Sequence, residues 1–421
     1  MSGDTVRLAR PGRLLILALL ALLAPAAPSA VAAPVWVPSW YASPEAADAP
    51  QRVLAHQTLR QIVRLSAGGD QLRIRLSNRF GDAPLRLDAV DVALRASGAA
   101  IRLGSSRAVT FQGHGDVTLA PGADVLSDPV ALTVAPAAEL AISVYAEGPA
   151  TVSTVHGVQR NAVYAAEGNV AAAEGFPLTL PQAGHWKPWA WLEAVEVAGS
   201  PAKGVVVAFG DSITDGVGPE PDLGATWPDL LGVRLRSAGL PLSVVNAGIG
   251  GDRLLRNGPF GQYGDAGLAR FDRDVLAQPQ VRAVIVLIGL NDIGQVGHIV
   301  GLSDYETAEA VEDGLSQLAE RAHEHGLKIF VATLTPFKGT IVPDYYSDPK
   351  EAEREAVNNW IRASRQFDGV ADFAAAVGDP ADPARPRPAY ASRDPLHPNA
   401  AGEAAMAAAI PLAWFAGATA R

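Results

Sequence analysis

The stretch VVVAFGDSITDG, from Val205 to Gly216, reads as a strand that delivers a serine. Its apolar run, Val205 to Phe209, is continuous rather than alternating, so both faces are covered, as in a parallel sheet. The run breaks at Gly210 and presents Ser212 on the following turn, ahead of Asp215 and Gly216. Ligands of such sheets collect beyond the carboxyl ends of the strands, and Ser212 stands at one of these ends. Gly, Asp and Ser are also ordinary turn residues, so this stretch alone leaves a purely conformational role open.

Other reactive residues recur at equivalent places. After the apolar run Leu242 to Val245 comes Asn246-Ala247-Gly248-Ile249-Gly250-Gly251-Asp252, and after Ala283 to Ile288 comes Gly289-Leu290-Asn291-Asp292. Near the C-terminus, Asp394-Pro395-Leu396-His397-Pro398 precedes an Ala-rich helix. Four segments thus converge on one rim. A serine, a histidine with an acid three residues before it, a glycine-rich turn and an amide side chain are the parts needed for nucleophilic acyl transfer.

At these residues the chain resembles the SGNH (GDSL) hydrolase family, with GDSIT, NAGIGGD, GLND and DPLHP in the family's order, over roughly Lys203 to Phe415. The resemblance implies a three-layer α/β/α domain with a five-stranded parallel sheet, and ester hydrolysis through an acyl-enzyme. It implies Ser212 as nucleophile, His397 as its base and Asp394 as the residue that orients the imidazole. The backbone N–H groups of Ser212 and Gly251 and the side-chain amide of Asn291 would form the oxyanion hole. Gly248 and Gly250 compete with Gly251 for that place; Gly251 is chosen because it immediately precedes Asp252, as in the family's block. The nucleophile elbow Gly-x-Ser-x-Gly is absent, since Thr214 occupies the second glycine's position, which argues against an α/β-hydrolase lipase fold. Asp211 and Asp292 are read as holding turns.

The alternation of strand and helix agrees with that fold. Helices are expected at Trp227 to Ala238, Leu268 to Ala277, Tyr305 to His325, Lys350 to Gln366 and Ala400 to Phe415, with strands at Lys328 to Thr333 and Gly369 to Phe373. From Trp36 to Val197 the pattern is different. Gln71 to Leu76 alternates polar and apolar residues, and Val117 to Leu119, Val130 to Val134 and Leu140 to Tyr145 are short runs bounded by turns. These are half-buried strands, and an all-β, jelly-roll-like sandwich is the most economical architecture. The expected organisation is a signal peptide at 1–32, a sandwich domain at 33–199 and a catalytic domain at 200–421.

Arg7, Arg10 and Arg13 precede the apolar run Leu14 to Leu23, and Ala30-Val31-Ala32 offers a cleavage site, which together describe secretion to the periplasm or beyond. No stable membrane anchor is expected after cleavage. There are no cysteines, which excludes disulfides, zinc-cysteine sites and thiol nucleophiles. A formal charge of -10 makes the chain a poor partner for nucleic acid.

Within the sandwich, Arg60, Arg64, Arg73, Arg75 and Arg79 are read as a solvated outer face, and His56, His114 and His156 as having no metal-like spacing. His185-Trp186-Lys187-Pro188-Trp189-Ala190-Trp191 is read as an interface filler in preference to a sugar platform. His323-Glu324-His325 ends a helix, where residues two apart point in different directions, so no metal is expected, and no cofactor either. The expected substrates are short-chain or O-acetyl esters, those of carbohydrates foremost. A lipid acyl-hydrolase and an acyltransferase remain on the same residues. A silent secreted binding protein would have no chemical reason to keep Ser212, Asn291, Asp394 and His397 together.

Overall fold

The strand that leads to Ser212 runs Gly204–Gly210 in the computed structural model, every residue buried. The structure describes residues 1–5, 33–157, 162–177, 189–218 and 225–417; the proposed leader from residue 6 to 32 and the segment His185 to Pro188 lie outside them. Gly204–Gly210 sits between Leu242–Gly248 on one side and Val281–Leu287 on the other, with Lys328–Ala332 and Gly369–Ala371 beyond, all parallel. The chain leaves Gly204–Gly210 for one side of the sheet and then crosses to the other. The order therefore reverses at that strand, and a crevice opens at its carboxyl end.

Helices Trp227–Ser237, Ala308–Glu324, Asp348–Ala363 and Ala400–Ala409 accompany this sheet. Side chains of Thr226, Thr307, Ser347 and Asn399 cap their first turns, each taking an otherwise unpaired N–H. The Thr307 cap explains why one helix starts at Ala308 and not at Tyr305. The expected helix Ala400 to Phe415 is interrupted, because Pro411 has no N–H to give, and only a short turn, Leu412–Phe415, follows. Leu268 to Ala277 is a short helix, Gly267–Phe271, that widens into a π-helical turn at Asp272–Leu276.

The N-terminal region consists of antiparallel strands. One sheet joins Val37–Tyr41, Leu192–Ala198, Gly69–Ser77, Asp124–Leu126 and Val130–Val134; another joins Val163–Glu167, Gln57–Arg64, Glu139–Ala146 and Ala89–Ser97 with two short strands. Leu72, Ile74 and Val195 of the first share a core with Leu59, Leu140 and Ile142 of the second.

The solvated-arginine reading is corrected here. Arg60 is fully buried, donating to Ser143 Oγ and to the carbonyls of Ala99, Ala171 and Ala173, with its guanidinium 4.5 Å from the Phe176 ring centre. Arg73 and Arg75 both reach the buried Glu196, at 2.6 and 2.9 Å, and Arg79 reaches Asp124 at 2.6 Å. Over Arg60 the outer face is roofed by chain segments whose carbonyls take its N–H donors, whereas Arg73, Arg75 and Arg79 stay partly exposed and pair with carboxylates.

Val35–Arg421 forms one compact body. Its seam lies along Leu242–Gly248, the edge of the parallel sheet. Val244 N–H donates to Ser66 Oγ (2.8 Å), Ser243 Oγ donates to the Pro38 carbonyl (2.6 Å), and the Tyr41 hydroxyl donates to Asp274 Oδ1 (2.8 Å). Trp189 and Trp191 are buried. Among the described residues, no helix is long and apolar enough to cross a membrane.

Candidate active site

Ser212 opens a single helical turn, Ser212–Asp215, directly after the strand Gly204–Gly210. Asp211 caps the turn, its Oδ1 accepting the Ile213 N–H at 3.0 Å. As the first helical residue, Ser212 has a backbone N–H with no acceptor inside the helix. Burial pushes the Asp211 carboxyl up to about 7, the Ile213 N–H offsetting only part of the cost.

From the far end of the chain, the segment Ser392 to His397 folds back over this turn. His397 Nε2 lies 2.9 Å from Ser212 Oγ, and His397 Nδ1 lies 2.6 Å from Asp394 Oδ2. Because a carboxylate only accepts, Nδ1 carries the proton and Nε2 is the acceptor for the serine hydroxyl. Asp394 Oδ1 takes the Ser392 hydroxyl at 2.7 Å and the N–H groups of Leu396 and His397 at 3.0 and 2.9 Å. Partial burial opposes ionisation of Asp394, but His397 and these donors hold it well below the usual carboxylate range.

Gly251 and Asn291 face the same cleft as Ser212 and His397. Gly251 has φ of 81°, and a Cβ there would lie 2.8 Å from the Tyr263 ring, so glycine is required twice over. Gln295 Nε2 holds its carbonyl at 2.6 Å. Gly248 is removed from the competition: its N–H is given to Asn246 Oδ1 at 2.8 Å. Gly250 lines the cleft beside Gly251. Asn291 Nδ2 uses one N–H on the Asp252 carbonyl (2.8 Å), which leaves the second for a ligand, and the Tyr345 hydroxyl fixes Asn291 Oδ1 at 2.6 Å. Asp292 accepts the N–H groups of Leu254 and Leu255, and burial lifts its carboxyl to about 6.

Beneath the glycine turn lies Arg270, wholly buried. It donates to the carbonyls of Gly210 and Ala247 at 2.8 Å each, pairs with Asp252 at 2.6 Å and Asp274 at 2.8 Å, and stands 4.1 Å from the Phe209 ring centre. It thus ties the residue before Asp211 to the residue after Gly251. Burial works against its charge, but the two carboxylates keep it protonated. Sequence reasoning singled out neither Arg270 nor the orienting role of Tyr345. Neither residue lies in a recognisable motif.

The cleft holds about 310 Å³. Val217, Ile299, Val342 and Leu396 give it an apolar side, and Gln262 and Gln295 a polar one. His323 and His325 have separate partners, Asp368 and the Arg321 carbonyl. Among the described residues, no group of three or more His, Cys, Asp or Glu stands together as for a metal ion.

A hydrogen-bonded Ser–His–Asp chain at the carboxyl end of a parallel sheet is the arrangement of a serine hydrolase. Residues 208–405 match the GDSL-like lipase/acylhydrolase family. The protein is accordingly a carboxylic ester hydrolase. The chain is similar to three solved structures: the lipase/acylhydrolase from Enterococcus faecalis, LAE5 from the metagenome of Lake Arreo, and an acetyl xylan esterase. Identities are 22%, 25% and 21%; the matches cover 49%, 52% and 49% of this chain and 92%, 98% and 96% of theirs, with TM-scores of 0.37, 0.38 and 0.36. No curated protein matches the chain.

Proposed function

We propose that the protein is a secreted serine esterase acting on short-chain carboxylic esters, with O-acetyl groups of carbohydrates as the leading substrate class. The hydrogen-bonded chain Ser212–His397–Asp394 carries this reading. Ser212 Oγ attacks the ester carbonyl while His397 Nε2 takes its proton. The negative oxygen of the tetrahedral intermediate lies against the N–H groups of Ser212 and Gly251 and the free N–H of Asn291. Collapse expels the alcohol, which leaves with the proton held by His397. Water then repeats the sequence on the acyl-enzyme, releasing the acid and restoring Ser212.

The size of the cleft supports a small acyl group: about 310 Å³ is near the lower end for ligand pockets, roughly 300–1,000 Å³. Its mixed lining suits an acetyl group on one side and a polar alcohol on the other. The basic residues and apolar run of the N-terminal stretch support export. One observation favours a second reading, a lipid acyl-hydrolase: Leu302 and Ile341, on the two loops that also supply Ile299 and Val342, are 79% and 70% exposed.

A p-nitrophenyl ester series from acetate to palmitate, with Ser212→Ala alongside, tests the proposal. Turnover confined to the shortest esters and abolished in Ser212→Ala supports the deacetylase reading. Rates that rise with chain length move lipids ahead. Release of p-nitrophenol only when an added alcohol takes the acyl group makes the enzyme an acyltransferase, and unchanged turnover in Ser212→Ala overturns the mechanism.

A further inference from the structure

The one-turn helix that begins at Ser212 is held at its far end from the β region. His156 closes the short strand Thr154–His156 and is buried. Its Nδ1 faces the Ser43 carbonyl at 2.9 Å and Glu45 Oε1 at 3.1 Å, while its Nε2 faces Asp215 Oδ1 at 3.2 Å. Both nitrogens meet acceptors, and only an imidazolium donates from both. Burial opposes that charge, but Asp215 and Glu45 raise His156 well above the ordinary histidine range. The Trp189 ring stacks on the imidazole, centres 5.6 Å apart and planes inclined by 27°, so the cation lies against an indole face. A cavity of about 60 Å³ beside His156 and Asp215 is also lined by Arg64 and Asp229.

Each carboxylate carries the contact onward to the cleft. Glu45 Oε2 accepts the Gly157 N–H at 3.0 Å, and Gly157 lines the cleft that holds Ser212. Asp215 is the last residue of the Ser212 turn. Its Oδ2 is buried with no hydrogen-bond partner among the described residues, so the charge on His156 is what answers it. A single turn has too few internal bonds to hold its own position. Asn246 Nδ2 fixes it through the Thr214 carbonyl at 2.7 Å and the Asp215 carbonyl at 3.3 Å. His156 supplies the tie to the Asp215 side chain.

We propose that His156 is a positioning residue for the nucleophile: paired with Glu45, it pins Asp215 and so aims the turn that points Ser212 Oγ at His397 Nε2. On this account the β region is a working part of the catalytic apparatus. The inference rests on the serine-esterase reading above. A displacement of about 1 Å at a reacting group costs on the order of a hundred-fold in rate, whereas neither His156 nor Asp215 itself lines the cleft.

The test is kcat and KM for p-nitrophenyl acetate with His156→Gln, Asp215→Asn, the double variant and Ser212→Ala, folding being followed by thermal melts. The expected result is a kcat lowered about ten- to a hundred-fold in either single variant, KM within about three-fold of wild type, and a double variant no worse than the poorer single one, because both changes break one tie. Should His156→Gln fail to fold, Asp215→Asn, which keeps the shape of the side chain, decides alone. A folded Asp215→Asn with wild-type kcat, or two losses that multiply, overturns the proposal. Full activity in those variants beside a dead Ser212→Ala removes the role of His156 and leaves the esterase reading standing; an active Ser212→Ala removes both.

Discussion

The two walls that meet at Ser212 are built on opposite principles. The rim carrying the base is assembled locally: Asp394 takes its donors from Ser392, Leu396 and His397, none more than three residues away. The floor beneath Gly251 is assembled at long range around Arg270, whose partners extend from Ser43 through Gly210, Ala247 and Asp252 to Asp274. The rim side chains keep some solvent contact, 11% for His397 and 26% for Asp394, whereas Arg270 and its two carboxylates have none. On the proposed mechanism, the group that gains and loses a proton keeps contact with water, whereas the frame beneath it is held by buried ion pairs.

Three substitutions probe that division. Asp394→Asn keeps an acceptor for the local donors but turns an N–H toward His397 Nδ1. The imidazole is then driven to the tautomer that cannot take the serine proton. A fall in kcat of about 10³–10⁴-fold is expected, with a thermal midpoint close to wild type. A large loss of stability would show that the rim is structural after all. Arg270→Met reverses the pattern. It leaves Asp252 and Asp274 in the interior without their common cation, and urea denaturation should register a loss of about 3–5 kcal/mol. A stable, active Arg270→Met protein would break the distinction between frame and rim.

Asp211, where the two walls join, gives the smallest effect. Burial raises its folded pKa to about 7, above its unfolded value, so its stabilising contribution is fully present below the unfolded pKa and lost as pH rises through about 7. Asp211→Asn retains the acceptor for Ile213 without the titration. Between pH 6 and pH 8 the wild type should therefore lose a few degrees of thermal midpoint relative to Asp211→Asn. Parallel curves would mean that Asp211 stays ionised throughout.

What could be read in the sequence follows the same line. Ser212, Asn291, Asp394 and His397 each lie beside a recognisable strand end or turn, and such residues announce themselves within a few positions. The five parallel strands were legible because continuous apolar runs have few other uses. Arg270, Tyr345, Glu45 and His156 reach Asp252, Asn291, His156 and Asp215 across 18 to 111 positions, with nothing local to mark them. Arg60 was misplaced for a related reason. Alternation shows which face of a strand points away from one core, but not that the segment around Val170 and Ala173 returns to roof that face.

The seam along Leu242–Gly248 sets the size of the portable unit for protein engineering. Cut away from Val37–Tyr41 and Ser66, the hydrolase sheet would offer a bare margin, with Val244 N–H seeking another strand to join. Grafting this catalytic sheet onto a different carrier therefore means transplanting the β region with it, as selvedge is kept on cloth that would otherwise fray.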